Sequence, residues 1–111
     1  MRRQLTGLVL ASLCLTACSE TQQAVDGVAR DAAKSTVSKT LTTRFPAVPA
    51  AAVTPFTDCV IDNASGREIA ELARDAVIGV SDTTVALVTD VIGRSETTKC
   101  IAKAGLAALT G

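Results

Sequence analysis

One eight-residue phrase occurs twice in this chain. Residues 77–84 read VIGVSDTT and residues 91–98 read VIGRSETT, fourteen positions later, with six identities and an Asp-to-Glu exchange. In each copy Gly suits the left-handed backbone that ends a helix, and Ser two residues on suits the N-cap of the next. The acidic residue then falls in a first turn, where the helix dipole favours negative charge. The octamer therefore predicts a helix-to-helix corner used twice, which commits this half of the chain to short packed helices. A phosphate-cradling loop is a poor rival, since each copy has a single Gly and no Lys follows it. A solenoid needs three or more units of about 20 residues or longer.

The flanking segments carry the same period. Between and after the corners, Val85, Val88, Val91, Ile92 and then Cys100, Ile101, Ala104, Ala108 mark two short helices. Upstream, Ser65-Gly66-Arg67-Glu68 has the form of a capping box ahead of Ile69, Leu72, Ala73, Ala76 and Val77, a helix with one apolar face. Thr54-Pro55 reads as a helix start, with TPFTDCVIDNA a short helix carrying Cys59 and breaking near Ser65-Gly66. From Thr21 to Arg44 the positions Val25, Val28, Ala29, Ala32, Val37 and Leu41 form one amphipathic stripe. Its second half, TVSKTLTTRF at 36–45, is rich in β-branched residues and alternates, so a strand is an open alternative there. Phe45 precedes Pro46, a position pushed out of helical geometry, and PAVPAAAVTP at 46–55 reads as an extended connector whose flanking Phe45 and Phe56 turn inward to the core.

The amino-terminal segment bears on compartment. Met1-Arg2-Arg3 precedes a 13-residue apolar run, residues 5–17, the layout of a secretory signal peptide and too short to span a bilayer core of roughly 30 Å. Leu15-Thr16-Ala17-Cys18 resembles a bacterial lipobox, in which small side chains precede a cysteine whose thiol receives a diacylglyceryl group before cleavage. Cys14 does not match, because it follows the bulky Leu13. The resemblance implies a mature chain that begins at lipidated Cys18 and is held to, not through, a membrane. Ser19, in the place where Asp would favour inner-membrane retention, implies the outer membrane. The alternative is ordinary cleavage after Ala17, which leaves Cys18 as an odd free thiol in a soluble periplasmic or secreted protein. With the chain exported, Cys14 removed and Cys18 acylated, Cys59 and Cys100 remain to form one disulfide. In the chain-entropy model a loop of about 42 residues contributes about 4 kcal/mol. A redox-active or metal-binding pair lacks the Cys-x-x-Cys spacing and any histidine.

Without residues 1–17 the chain has 94 residues, nine of them basic and 11 acidic, a formal charge of −2. No basic cluster exceeds two residues, which argues against a nucleic-acid partner. Trp, Tyr and His are absent, so small side chains and close helix packing are expected rather than an aromatic-lined pocket. Asp58 and Asp62 stand one helical turn apart, and with Glu68 are the candidate acid/base or metal-binding carboxylates. The alternating ligands and Gly of a calcium loop are missing, however, and a solvated face is the expectation. Arg67, Glu71, Arg74 and Asp75 are spaced for surface ion pairs. The Ser and Thr residues have no evident activating base, and Asn63-Ala64-Ser65 is a glycosylation sequon only by accident if the chain is bacterial.

DCVIDNAS, ELARDAV and TTKCIA resemble short secreted proteins of alphaproteobacteria, a group that implies no activity. The label succinate dehydrogenase, sometimes attached to such chains, finds no histidine for haem, no flavin fingerprint and no clustered cysteines here, which leaves only an accessory role beside such an enzyme.

The expectation is thus an all-α bundle of about five short helices braced by one disulfide. Its parts are a lipoprotein signal peptide (1–17), an N-terminal helix and tether (18–45), a Pro/Ala connector (46–55) and a disulfide-stapled helical domain (56–111). The expected function is non-enzymatic, without cofactor, with the membrane bound through lipid on Cys18 and another envelope protein as partner. A soluble inhibitor or small-ligand binder is the alternative.

Overall fold

The computed structural model describes residues 26–110, with side chains through residue 107. The signal segment, Cys14, Cys18 and the start of the first helix lie outside the described residues. Five helices and no strand make up the described residues: α1 over 26–44, α2 Ala50–Asn63, α3 Gly66–Ile78, α4 Asp82–Ile92 and α5 Ser95–Thr110. The all-α reading holds.

α1 is helical through the segment that also suited a strand. Its threonines turn their hydroxyls back on the preceding turn: Thr40 Oγ1 donates to Thr36 O at 2.8 Å, Thr42 Oγ1 to Ser38 O and Thr43 Oγ1 to Lys39 O, each also at 2.8 Å. This back-bonding satisfies groups that would otherwise disfavour a β-branched polar residue inside a helix. The buried stripe is Ala33, Thr36, Val37, Thr40 and Leu41, while Val28, expected on it, is 70% exposed. Two threonines thus serve as core residues. Thr36 Oγ1 also donates across to Leu72 O of α3 at 2.7 Å, a tie between helices.

The connector is shorter than expected. Residues 45–49 turn the chain, with Val48 N–H donating to Phe45 O at 3.0 Å, and α2 begins at Ala50 behind Pro49 as its N-cap. Pro55 therefore sits inside α2 instead of opening it. The reason is Ala50-Ala51-Ala52, the strongest helix formers available, which carry the helix five residues upstream of the proline. The carbonyl left without a donor by Pro55 is that of exposed Ala51, where water can serve it. Phe45 and Phe56 are half-buried and pack on the core, as expected.

Pairing fixes the directions. Arg30 with Asp62 and Lys34 with Asp58 run α1 and α2 antiparallel. Cys59 with Cys100, and Phe56 beside Gly105, run α2 and α5 antiparallel. α1 and α3 are parallel, since Thr36 meets Leu72 while Ala29 and Ile69 line one groove at one end and Lys39 and Ala76 another at the other. The central cluster is Ala33, Val37 and Leu41 of α1, Val60 and Ile61 of α2, Ile69 and Leu72 of α3, and Val88 and Val91 of α4.

The two octamers make different corners. At the first, Gly79 has φ 101° and ψ 161°, a backbone open to glycine, and Ser81 caps α4 in a box with Thr84. At the second, Gly93 stays right-handed at φ −71°, and Ser95 is the first residue of α5, not its cap. Val77 is 87% and Ile78 67% exposed, whereas Val91 of the second copy is fully buried. The expectation that Val77 lies on the core face of α3 is corrected accordingly. In the last turn of α3, Asp75 and Ala76 face α4 and α1 while Val77 and Ile78 point to solvent, and Gly79 then turns the chain away.

Candidate functional site

Three ends of helices converge on Arg94. The guanidinium grips Glu68 with two bonds, Nη1 to Oε1 at 2.8 Å and Nη2 to Oε2 at 2.6 Å. Nη1 also donates to the carbonyl of Asn63, the last residue of α2, at 3.0 Å, and Nη2 to Asp90 Oδ2 in the last turn of α4 at 2.9 Å. The bidentate fork suits guanidinium geometry and would be lost with lysine. Glu68 serves a second purpose in the capping box, where its Oε1 accepts from Ser65 N–H at 2.8 Å and Ser65 Oγ accepts from Glu68 N–H at 3.2 Å. Those bonds, the Arg94 pair foremost and the Ser65 amide next, hold the Glu68 carboxyl down at about 2. The Glu68 and Asp90 carboxylates push the Arg94 guanidinium upward in turn. A carboxylate so committed has little capacity to take up or release a proton near neutrality.

Asp58 and Asp62 do share a face of α2, and the structure shows what faces them. Asp62 Oδ1 lies 2.9 Å from Arg30 Nη2, and Asp58 Oδ1 lies 3.2 Å from Lys34 Nζ. The cations are one turn apart on α1, so the pair is half of an ion ladder between antiparallel helices, partly open to solvent. Glu68 is bound by its own cation instead. No group of three or more His, Cys, Asp or Glu side chains suited to a metal occurs among the described residues. Of the surface pairs expected on α3, Arg67 and Glu71 approach to 3.9 Å, while Asp75 Oδ2 accepts from Thr84 Oγ1 at 2.8 Å across the first corner.

Cys59 and Cys100 are bonded, with Cα atoms 5.6 Å apart and 41 positions of chain between them. Cys59 is buried on α2 and Cys100 half-buried on α5. The sequon is occupied by structure: Asn63 Nδ2 donates to Cys59 O at 2.8 Å and Ser65 is the N-cap of α3. A groove of about 490 Å³ between the first described turn of α1 and the first turn of α3 is walled by Ala29, Ala64, Ile69 and Ala70, with Asp26 and Arg30 at its rim.

Arg94 was the residue that sequence reasoning passed over. Its signal is visible in hindsight: it is the one non-conservative difference between the octamers, replacing Val80, and it follows Asp90 by four positions. No helix among the described residues is long and apolar enough to cross a membrane. No protein-family model, curated protein or solved structure matches the chain.

Proposed function

We propose that the chain is a lipid-anchored protein of a bacterial cell envelope, attached through Cys18, facing the periplasm and favouring the outer membrane. It works by contact with another envelope protein or as a structural element, not as an enzyme. The observation that carries the reading is Leu15-Thr16-Ala17-Cys18 behind a basic start and a short apolar run. Lipid on Cys18 gives attachment of about 0.8 kcal/mol per buried methylene, and more than one acyl chain makes it stable. The Cys59–Cys100 bond agrees with an oxidising compartment. The engagement of Asp58, Asp62 and Glu68 by separate cations favours contact over catalysis. Only seven residues separate Cys18 from Asp26, a reach of at most about 29 Å, so the bundle works close to the membrane surface.

The test is the intact mass and fractionation of the exported protein. An N-terminal Cys18 bearing diacylglyceryl and acyl mass in the membrane fraction, released to the soluble fraction by Cys18→Ser, is the expected result. An unmodified amino terminus in the soluble fraction would instead support the soluble inhibitor or ligand binder. Crosslinking from membranes, with Cys18→Ser as the unanchored control, then identifies the partner.

A further inference from the structure

We propose that α5 is a latch fastened by the Cys59–Cys100 bond, released by thiol–disulfide exchange while α1–α4 stay folded. The core cluster draws on α1, α2, α3 and α4, and no described side chain of α5 belongs to it. The one fully buried side chain described on α5 is Thr97, and its Oγ1 has no hydrogen-bond partner, so burial there opposes docking. Cys100, Ile101, Ala104 and Gly105 are half-buried along α2, and Ala102, Lys103, Leu106 and Ala107 are exposed. Gly105 meets the rim of the Phe56 ring, with the nearest ring atom 3.8 Å from where a Cβ would stand. α5 thus lies close along α2 but, among the described residues, through small side chains outside the central cluster, so the contact buries little apolar area for its length and the covalent bond fastens it.

The hinge is also defined. Arg94 is tied to Asn63, Glu68 and Asp90, and Thr98 Oγ1 donates back to Ile92 O at 3.2 Å, so the corner and the first turn of α5 stay with the other four helices and motion begins beyond Thr98. Cys100 is the more accessible of the two cysteines. A thiolate of a dithiol reductant attacks Cys100 Sγ, forming a mixed disulfide and expelling the Cys59 thiolate, which takes a proton. The reductant's second thiol then displaces Cys100, which leaves as a thiol. The protein gains two electrons and two protons, and the dithiol becomes a disulfide. The product exposes Phe56 and a free Cys59 thiol on α2, a surface that α5 of the same chain covers in the oxidised form.

The experiment is hydrogen exchange read by mass spectrometry on the full chain carrying Cys14→Ser and Cys18→Ser, which leaves one thiol couple and removes anchoring from the readout. Oxidised protein is compared with protein reduced by dithiothreitol, and with the further variant Cys59→Ser/Cys100→Ser without reductant. Peptides from 99–107 are expected to lose nearly all protection in both reduced forms, while α1–α4 peptides exchange faster only by as much as the lost brace lowers global stability and remain protected. Unchanged protection in α5, or loss of protection in all five helices together, overturns the latch.

Discussion

At Arg94 one side chain closes three exposed helix ends, and its loss should be read first at Glu68. The Glu68 carboxyl sits at about 2 against an ordinary 4.5, so its contribution to stability is fully present above about pH 4.5 and is lost as pH falls through 2. In Arg94→Ala the Ser65 amide remains but the guanidinium does not, and the Glu68 titration followed by carbon NMR should move back toward 4.5. Glu68→Gln keeps a side chain able to accept from the Ser65 amide, whereas Glu68→Ala removes both the cap and the clamp. The alanine variant should therefore be the less stable of the two, by about 1 kcal/mol, in urea unfolding at neutral pH. Below about pH 2 the difference between wild type and Glu68→Gln should vanish, because the native carboxyl is then protonated too.

Among the elements, the twin octamers separate what a local pattern specifies from what its surroundings decide. Gly79 and Gly93 occupy the same place in the repeat, yet Gly79 has φ 101° and Gly93 φ −71°. Gly79→Ala should cost about 1–3 kcal/mol although space is open around it, because the backbone there is closed to L residues. Gly93→Ala should be neutral or slightly stabilising, since its Cβ would meet Asp90 O and Thr89 O at an ordinary 3.6 Å. Likewise Ser81→Ala should cost about 1 kcal/mol as a lost cap and Ser95→Ala a few tenths. Thermal unfolding of the four variants checks both pairs. Helix type and number were legible because the 3.6-residue period and the Ser65 box are local. The difference between the corners was not, because the second is held by Arg94 reaching Glu68, 26 positions away in sequence, and the first by Thr84 meeting Asp75. The start of α2 is illegible for a local reason: Thr54-Pro55 has the form of a first turn, but Ala50-Ala51-Ala52 before it is the stronger helix signal. On α1, Thr36 and Thr40 were invisible as core residues because their hydroxyls find acceptors only once the helix exists. The carboxylates Asp58 and Asp62 were correctly placed on one face, but their partners on α1 lie 24 and 32 positions upstream, beyond any spacing rule.

For the whole molecule, two of the devices that join distant parts of the chain, the α1–α2 ion ladder and the disulfide, should respond differently to salt. The α1–α2 ladder pairs Arg30 with Asp62 and Lys34 with Asp58, and all four side chains are 41–62% exposed. Exposed pairs are each worth about 0–1 kcal/mol and are screened within about 3 Å at 1 M salt. Asp58→Asn/Asp62→Asn should therefore lower stability only slightly, and the loss should disappear at about 1 M sodium chloride. The disulfide acts instead by restricting the unfolded chain across 41 positions, a contribution of about 4 kcal/mol to which salt is nearly irrelevant. In urea at low and high salt, Cys59→Ser/Cys100→Ser should lower the unfolding midpoint by a similar amount under both conditions. If the cysteine variant recovered at high salt and the aspartate variant did not, the bundle would be held by charge, and the covalent brace would be incidental to it.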